Sequence, residues 1–423
     1  MKVAFCTLGC KVNQYESQSM EQALIKRGFE CVGASEEADV YIVNSCTVTA
    51  ESDRKTRQNV RHLRKLHPDA VIVLTGCMPQ AFPKDARLLT QADIVTGNRS
   101  NKQIPDMIDE FFRTRERIVR IAQHENGEKF SGELINDFRE RTRATVKIED
   151  GCNRFCSYCV IPYARGRVRS KPLEDIREEI SSLEKKGFSE IILVGINLSA
   201  YGTDCGASIC DAVELAASFD GIKRVRLGSL EPDHMTPDVT KRLAECKKLC
   251  PQFHISLQSG CDKTLKRMNR HYTAAEYEEL CTRLRSEFED ATLTTDVMVG
   301  FSGETKEDFE ISRDFVKKIG FEKVHVFPYS RRTGTRAAEF PDVVENAEKE
   351  RRSREMIATA GEVRHEFLER QIGKTVEVLF EEKLRDGSTQ GYTANYTPVR
   401  IKSGCTHGLH KVKITACGDD WCE

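Results

Sequence analysis

Between residues 145 and 327 short apolar runs alternate with helical stretches, a rhythm that few folds accommodate. The runs are Thr145–Glu149, Glu190–Val194, Arg224–Leu227, Phe253–Ser256, Leu293–Val299 and Val324–Phe327, separated by stretches such as Leu173–Lys186 and Lys306–Ile319. Parallel strands need long crossovers, which helices supply, so six strand-helix units predict an open, partial (βα)6 barrel. Residues 1–115 repeat the pattern on a smaller scale, with candidate strands Val3–Leu8, Val40–Asn44 and Val71–Thr75, and predict a doubly wound parallel sheet. After about Phe340 a charged helix, Asn346–Arg370, leads into strand-like Thr375–Glu381, Gln390–Ala394, Pro398–Ile401 and Lys411–Thr415. Turn residues at Asp386-Gly387-Ser388 and Ser403-Gly404 punctuate these strands, which predicts a small antiparallel β-barrel. The chain therefore reads as α/β with a first domain over 1–115, a charged linker over 116–140, a barrel domain over 141–370 and an all-β domain over 371–423.

A chain of 423 residues is too long for one ordinary core, and 39% hydrophobic with 31% charged residues suits several globular ones. The net charge of -1 gives no global pull toward a polyanion, so contact with nucleic acid needs a local patch. The start, Met1-Lys2-Val3-Ala4-Phe5, lacks a signal-peptide pattern, and runs such as Ile191–Ile196 fall far short of the roughly 20 apolar residues of a membrane span. The expectation is a cytoplasmic chain with no membrane contact. In that reducing compartment, seventeen cysteines argue for metal binding rather than a disulfide framework.

Three of them stand in Cys152-Asn153-Arg154-Phe155-Cys156-Ser157-Tyr158-Cys159, directly after the first barrel strand. Three thiolates in one tight loop hold three irons of a 4Fe-4S cube and leave the fourth iron open to a substrate. The alternative, a structural zinc, wants four protein ligands, and no Cys or His follows within the next twenty residues. Cys10, Cys46 and Cys77 each lie just past the carboxyl end of a predicted parallel strand, so all three should emerge on one sheet edge and converge. A second three-cysteine cluster is the sharper reading; apolar packing is the other. Cys6 sits within its strand and reads as core, and Cys246 and Cys250, at helical spacing, read as packing.

The cysteine loop on a partial barrel resembles the radical S-adenosylmethionine superfamily. The resemblance implies that S-adenosylmethionine binds the open iron through its amino and carboxyl groups and is cleaved to methionine and a 5′-deoxyadenosyl radical. It places cofactor contacts at strand ends: Gly195 and Asn197 in Val194-Gly195-Ile196-Asn197, Ser229 and Glu231, Gln258 and Ser259, Gly300 and Phe301, with Tyr158 in the loop and Arg267 beyond it. Taken singly, each is equally an ordinary turn residue. Arg165, Arg167 and Arg169 either meet carboxylate or phosphate or face solvent.

With Leu8-Gly9-Cys10, Asn44-Ser45-Cys46 and Thr75-Gly76-Cys77 added, nearly the whole chain resembles the methylthiotransferase family. The resemblance extends through Gln258-Ser259-Gly260-Cys261 to Arg270 and through Val299-Gly300-Phe301-Ser302-Gly303-Glu304-Thr305, where Ser302 replaces the usual proline. It implies two 4Fe-4S clusters, a methyl-donating and a radical-forming S-adenosylmethionine, a closing RNA-binding TRAM domain, and an electron donor such as flavodoxin or ferredoxin. Gly9-Cys10-Lys11-Val12-Asn13 and Phe327-Pro328-Tyr329-Ser330-Arg331-Arg332-Thr333-Gly334-Thr335 look like the branch acting on N6-threonylcarbamoyladenosine at position 37 of the tRNA anticodon loop. The branches acting on isopentenyladenosine or on a ribosomal protein, and an electron carrier without catalysis, are the competing readings. C2 of adenine offers no acidic proton, which is why such chemistry calls for a radical. Candidate phosphate contacts are Arg54, Lys55, Arg57, Arg61, Arg64 and Lys65 on one helix, and Arg400, Lys402, Lys411 and Lys413 in the last domain.

Overall fold

The computed structural model describes residues 1–132, 134–135, 143–402 and 408–423. The expected turn at Ser403-Gly404 and Cys405 lie outside the described residues. Among the described residues no helix is long and apolar enough to cross a membrane.

The first domain is a six-stranded, all-parallel sheet in the order Glu30–Val32, Lys2–Thr7, Val40–Ser45, Val71–Gly76, Ile94–Thr96, Ile118–Arg120. Alternate strand residues feed opposite faces: Val3, Val40 and Val71 pack with helices Lys11–Lys26 and Ile104–Thr114, while Ala4, Tyr41 and Ile72 pack with helix Ala50–Leu66. That is the doubly wound arrangement expected. The sheet passes the boundary expected at residue 115, because its last strand covers Ile118–Arg120. The described part of the expected linker is also packed: the Gln80 amide donates to the Ala122 carbonyl at 2.8 Å, and Glu128 pairs with Arg99 at 2.7 Å. A three-residue strand among charges has no legible period, and its charges find partners remote in sequence.

The barrel comprises two parallel sheets, one of Arg143–Lys147, Glu190–Val194 and Arg224–Leu227, the other of Ser229–Leu230, Gln252–Ile255, Thr292–Val299 and Lys323–Pro328. Gly228 separates the two short segments that belong to different sheets, so one broken strand hands the barrel from one to the other. The strand count thus meets the six expected units. Cys246 and Cys250 follow the end of helix Pro237–Ala244 rather than sharing a helix face, and Cys250 is buried.

The last domain is a four-stranded antiparallel sheet ordered Pro398–Ile401, Thr389–Thr393, Thr375–Lys383, Gly408–Lys413, and the tail lies along its edge through a Val399–Cys422 bridge. The expected barrel is, in the described residues, this open sheet with a covered edge; four short strands cannot pair first to last without the bend that closure needs.

The first two domains meet across a buried ion network. Glu16, on helix Lys11–Lys26, pairs with Arg165 and, at 2.8 Å, with Lys147; Asp150 pairs with Lys147 at 2.7 Å and Arg165 at 3.6 Å. Arg165 has no exposed surface. Burial pushes Glu16 up, but Arg165 and Lys147 outweigh it and hold the carboxyl below its usual range. That stabilisation is complete above the unfolded carboxylate value of about 4.3 and disappears as pH falls through the lower folded value. Glu16→Gln should therefore cost about 3–5 kcal/mol at neutral pH, since it leaves two buried cations short of a partner. In thermal melts across pH, the gap from wild type should narrow below about pH 4; a constant gap would place the effect elsewhere.

Candidate metal centre

The carboxyl ends of parallel strands collect loops on one edge, and at the order reversal of a doubly wound sheet the loops splay apart into a crevice. Here the reversal falls between Lys2–Thr7 and Val40–Ser45, whose following residues carry Cys10 and Cys46; Cys77 follows the adjacent strand. Gly9 stands so close that a Cβ there would lie 2.8 Å from the Cys46 Cβ. Gly76, at φ +97°, has no room for a side chain against the Ser45 backbone, where a Cβ would fall at 2.5 Å. Buried amides lock the crevice: Asn13 Nδ2 donates to the Ser45 carbonyl at 3.0 Å, and Asn44 Nδ2 to the Asn13 carbonyl at 2.9 Å. Cys46 and Cys77 are buried and Cys10 is exposed. Burial pushes the Cys77 thiol up to about 12 against the opposing pull of Arg165, whose Nε donates to the sulfur at 3.2 Å.

The second set is held on a pinched loop. A two-residue antiparallel ladder, Glu149–Asp150 against Arg169–Ser170, closes its base. Phe155 turns the tip at φ 50°, and Asn269 Nδ2 donates to its carbonyl at 3.2 Å. Ser157 staples the middle: its N–H donates to the Met268 carbonyl at 2.9 Å, its hydroxyl to the Arg267 carbonyl at 2.9 Å, and its own carbonyl accepts from Ala337 at 2.7 Å. Donors point at the sulfurs, with Asn197 Nδ2 at 3.8 Å from Cys152, Arg270 at 3.4 Å from Cys156 and the Ile161 N–H at 3.4 Å from Cys159. Burial pushes the Cys152 thiol up to about 12 and raises Cys159 as well, so cation binding must displace protons here.

All described cysteines are free thiols. Among the described residues no three Cys, His, Asp or Glu side chains converge on a single-ion site. The ligand sulfurs of an iron-sulfur cube attach to different irons and need no common point.

The other expected rim residues divide. Gly195, where a Cβ would lie 2.6 Å from Glu149 Oε2, and exposed Ser229 line one cavity of about 900 Å³ together with Cys10. Asn197 donates its N–H to Glu149 at 2.7 Å, while Asn197 Oδ1 and Glu149 Oε1 are buried without a partner. Burial pushes Glu149 well above the usual carboxylate range despite the N–H groups facing it. Glu231 accepts from Arg270 at 2.5 Å, Tyr158 packs edge-on against Phe301 at 6.3 Å, and Gln258 turns the strand end at φ 66°. Arg267 is turned away: Nε donates to the Ser302 carbonyl at 2.8 Å and the guanidinium covers Phe340. The arginine beside the loop is Arg270, three positions on, and spacing alone could not choose between them.

Of the three arginines after the loop, Arg165 and Arg169 are buried ion-pair partners, and exposed Arg167 covers the Phe155 ring at 4.6 Å. Arg64 is tied to Asp93 and to carbonyls, and Arg54 and Lys55 to Glu51, which leaves Arg57, Arg61 and Lys65 from that patch. Arg400 lies over Trp421 at 3.7 Å, whereas Lys402, Lys411 and Lys413 are exposed. Sequence reasoning took Arg332 only as part of the Phe327–Thr335 motif and attached no role to Asp53. Buried Arg332 reaches from the segment after the barrel to Thr47 at 2.9 Å and Asp53 at 2.5 Å, and so fixes the loop that carries Cys46.

The radical SAM superfamily model matches residues 146–316, and the model described as uncharacterized protein family UPF0004 matches residues 2–97. The chain is 35% identical to the threonylcarbamoyladenosine tRNA methylthiotransferase MtaB of Bacillus subtilis, over 98% of this chain and 94% of that one. It is 36% identical to the tRNA-2-methylthio-N6-dimethylallyladenosine synthase of Pelotomaculum thermopropionicum, over 93% and 90%. Among solved structures, the radical S-adenosylmethionine methyltransferase TsrM of Kitasatospora setae shares the fold, with a TM-score of 0.56, 14% identity and coverage of 77% and 74%.

Arg332→Ala should cost about 3–5 kcal/mol by stranding Asp53, measured by urea unfolding. It should also raise the alkylation rate of Cys46 in the metal-free protein; unchanged labelling would show that the loop holds its place without the arginine.

Proposed function

This chain belongs to the radical SAM methylthiotransferase family, and we propose that it transfers a methylthio group to C2 of N6-threonylcarbamoyladenosine at position 37 of tRNA. The observation that carries the reading is that Cys10 opens onto the same cavity as Gly195 and Ser229, while Arg165 ties Cys77 to the loop of Cys152, Cys156 and Cys159. A cysteine of the first set that shares a cavity with the barrel rim suits a reaction in which sulfur and a hydrogen-abstracting radical reach one carbon. The relatives named for threonylcarbamoyladenosine and for dimethylallyladenosine are nearly equal in identity, so the choice of substrate rests on the Lys11-Val12 and Phe327–Thr335 motifs.

The donor sets fit iron-sulfur clusters: the thiols are free, N–H groups face the sulfurs, and the unpartnered Asn197 Oδ1 and Glu149 Oε1 leave polar capacity for a cofactor. Cys152, Cys156 and Cys159 would hold one 4Fe-4S cluster and Cys10, Cys46 and Cys77 the other, with Tyr158, Gly195, Asn197, Ser229, Glu231 and Gln258 around S-adenosylmethionine. When bound, these groups supply a methyl group, electrons from an external donor such as flavodoxin or ferredoxin, and a hydrogen-abstracting radical. Gly195 keeps the rim open where any larger side chain would meet Glu149. The Arg270–Glu231 pair positions a cation against Cys156, where it offsets thiolate charge. Exposed Lys402, Lys411 and Lys413 offer charge for the RNA backbone.

Nucleosides from tRNA of a strain lacking the protein should contain no 2-methylthio-N6-threonylcarbamoyladenosine by mass spectrometry. The wild-type gene should restore it, and Cys156→Ala should not. In vitro, Cys46→Ala should still form 5′-deoxyadenosine yet yield no methylthio product, which separates the two sites. Methylthio mass on isopentenyladenosine or on a ribosomal protein instead would refute the substrate. Changing Lys402, Lys411 and Lys413 together to Ala should flatten the log-log salt dependence of tRNA affinity by about 2–3; an unchanged slope would move the RNA path off this domain.

A further inference from the structure

The cavity beside Cys10 draws on all three domains, with Lys11 from the first, Gly195 and Ser229 from the barrel, and Tyr392 and Tyr396 from the last. Its arginines are already engaged. Arg226 gives Nε to Glu190 at 2.6 Å and its other nitrogens to the Ala394 and Thr393 carbonyls at 2.8 and 2.9 Å. Arg400 is held by Gln390 at 2.7 Å, and Arg364 by Glu322 and Asp420. The Lys11 side chain, by contrast, has no hydrogen-bond or ion-pair partner among the described residues. The titratable and charged groups around it are Tyr396, Arg143, Arg226 and Glu190. Glu190 is shared among Arg143, Arg224 and Arg226 at 3.8, 3.8 and 2.6 Å, and Glu381 and Glu377 pair with Arg143 and Arg224 at 2.6 and 3.0 Å, so the neighbouring charges are matched and Lys11 supplies the unpaired positive charge that an incoming anion would meet. A second cation without a side-chain partner among the described residues, Lys323, also lines the cavity, but only Lys11 adjoins Cys10 in the chain.

Purine chemistry supplies the anion. C2 and the N6 substituent share the Watson–Crick edge, so a base that presents C2 to the Cys10 site brings its N6 side chain to the same neighbourhood. We propose that Lys11 reads the substrate by pairing its ammonium with the carboxylate of the N6-threonylcarbamoyl group; this rests on the substrate reading above. A neutral isopentenyl chain would desolvate Lys11 without replacing its water, and selection follows from that penalty.

The test is fluorescence anisotropy of the full-length, cluster-loaded protein with three anticodon stem-loops. They carry adenosine, N6-threonylcarbamoyladenosine, or the latter with its carboxylate converted to an amide, at position 37. Wild type should bind the carboxylate form about 10-fold to 100-fold more tightly than the amide. Lys11→Met should bring that ratio close to one, and Lys11→Arg should keep part of it. With iron content and melting temperature matching wild type, a preserved ratio in Lys11→Met overturns the assignment. Equal wild-type affinity for the carboxylate and the amide also overturns it. Equal wild-type affinity for modified and unmodified adenosine would instead bring down the substrate reading itself.

Discussion

Glu16, Lys147, Asp150 and Arg165 are sealed between two domains, where unpaired charge is prohibitive, and each carboxylate is held by both cations. These two carboxylates match these two cations, and Arg169, 3.5 Å from Asp150, is matched in turn by Glu128 at 3.7 Å, so burial is tolerable as a set and costly for any subset. Because Glu16 belongs to the helix that follows Cys10, and Arg165 to the short helix that follows Cys159, satisfying these charges fixes the two cysteine-bearing edges relative to one another. Arg165 adds a direct contact to the Cys77 sulfur. The domain interface and the chemical site are therefore one structure.

That arrangement explains the glycines of the site. Gly9, Gly76 and Gly195 stand where backbones approach the cysteine loops or the Glu149 carboxyl so closely that a Cβ would collide. The crevice at the reversal of the first sheet opens toward the barrel rim, and both border the cavity that the last domain closes with Tyr392 and Tyr396, stacked at 4.5 Å. Arg143 and Arg226 cover these rings, so the last domain is joined to the barrel by the same kind of cation that joins the first. Arg332 performs a third such closure at the Cys46 loop.

Regular periodicity carried the long elements into view: helix Lys306–Ile319 and strands Glu190–Val194 and Arg224–Leu227 fall where the pattern of apolar residues places them. Strands Glu30–Val32, Ile94–Thr96 and Ile118–Arg120 did not show, since three residues hold too little alternation to read. The six candidate ligand cysteines were legible because thiols at strand ends or in one tight loop carry a local signature. Arg267 and Arg270 look alike in sequence; only packing against Ser302 and Phe340 turns the first away and leaves the second beside Cys156 and Glu231.

The sequence by itself determined the strand-helix alternation, the two cysteine sets and the position of each set at the end of a strand, because these depend on residues near one another along the chain. Only the tertiary structure decided that Glu16 meets Arg165, that Asp53 meets Arg332 and that Lys11 faces a cavity shared with Gly195. Ion pairs and cavities join residues remote in sequence, and their energy comes from desolvation in the folded state. Local spacing therefore leaves no trace of them.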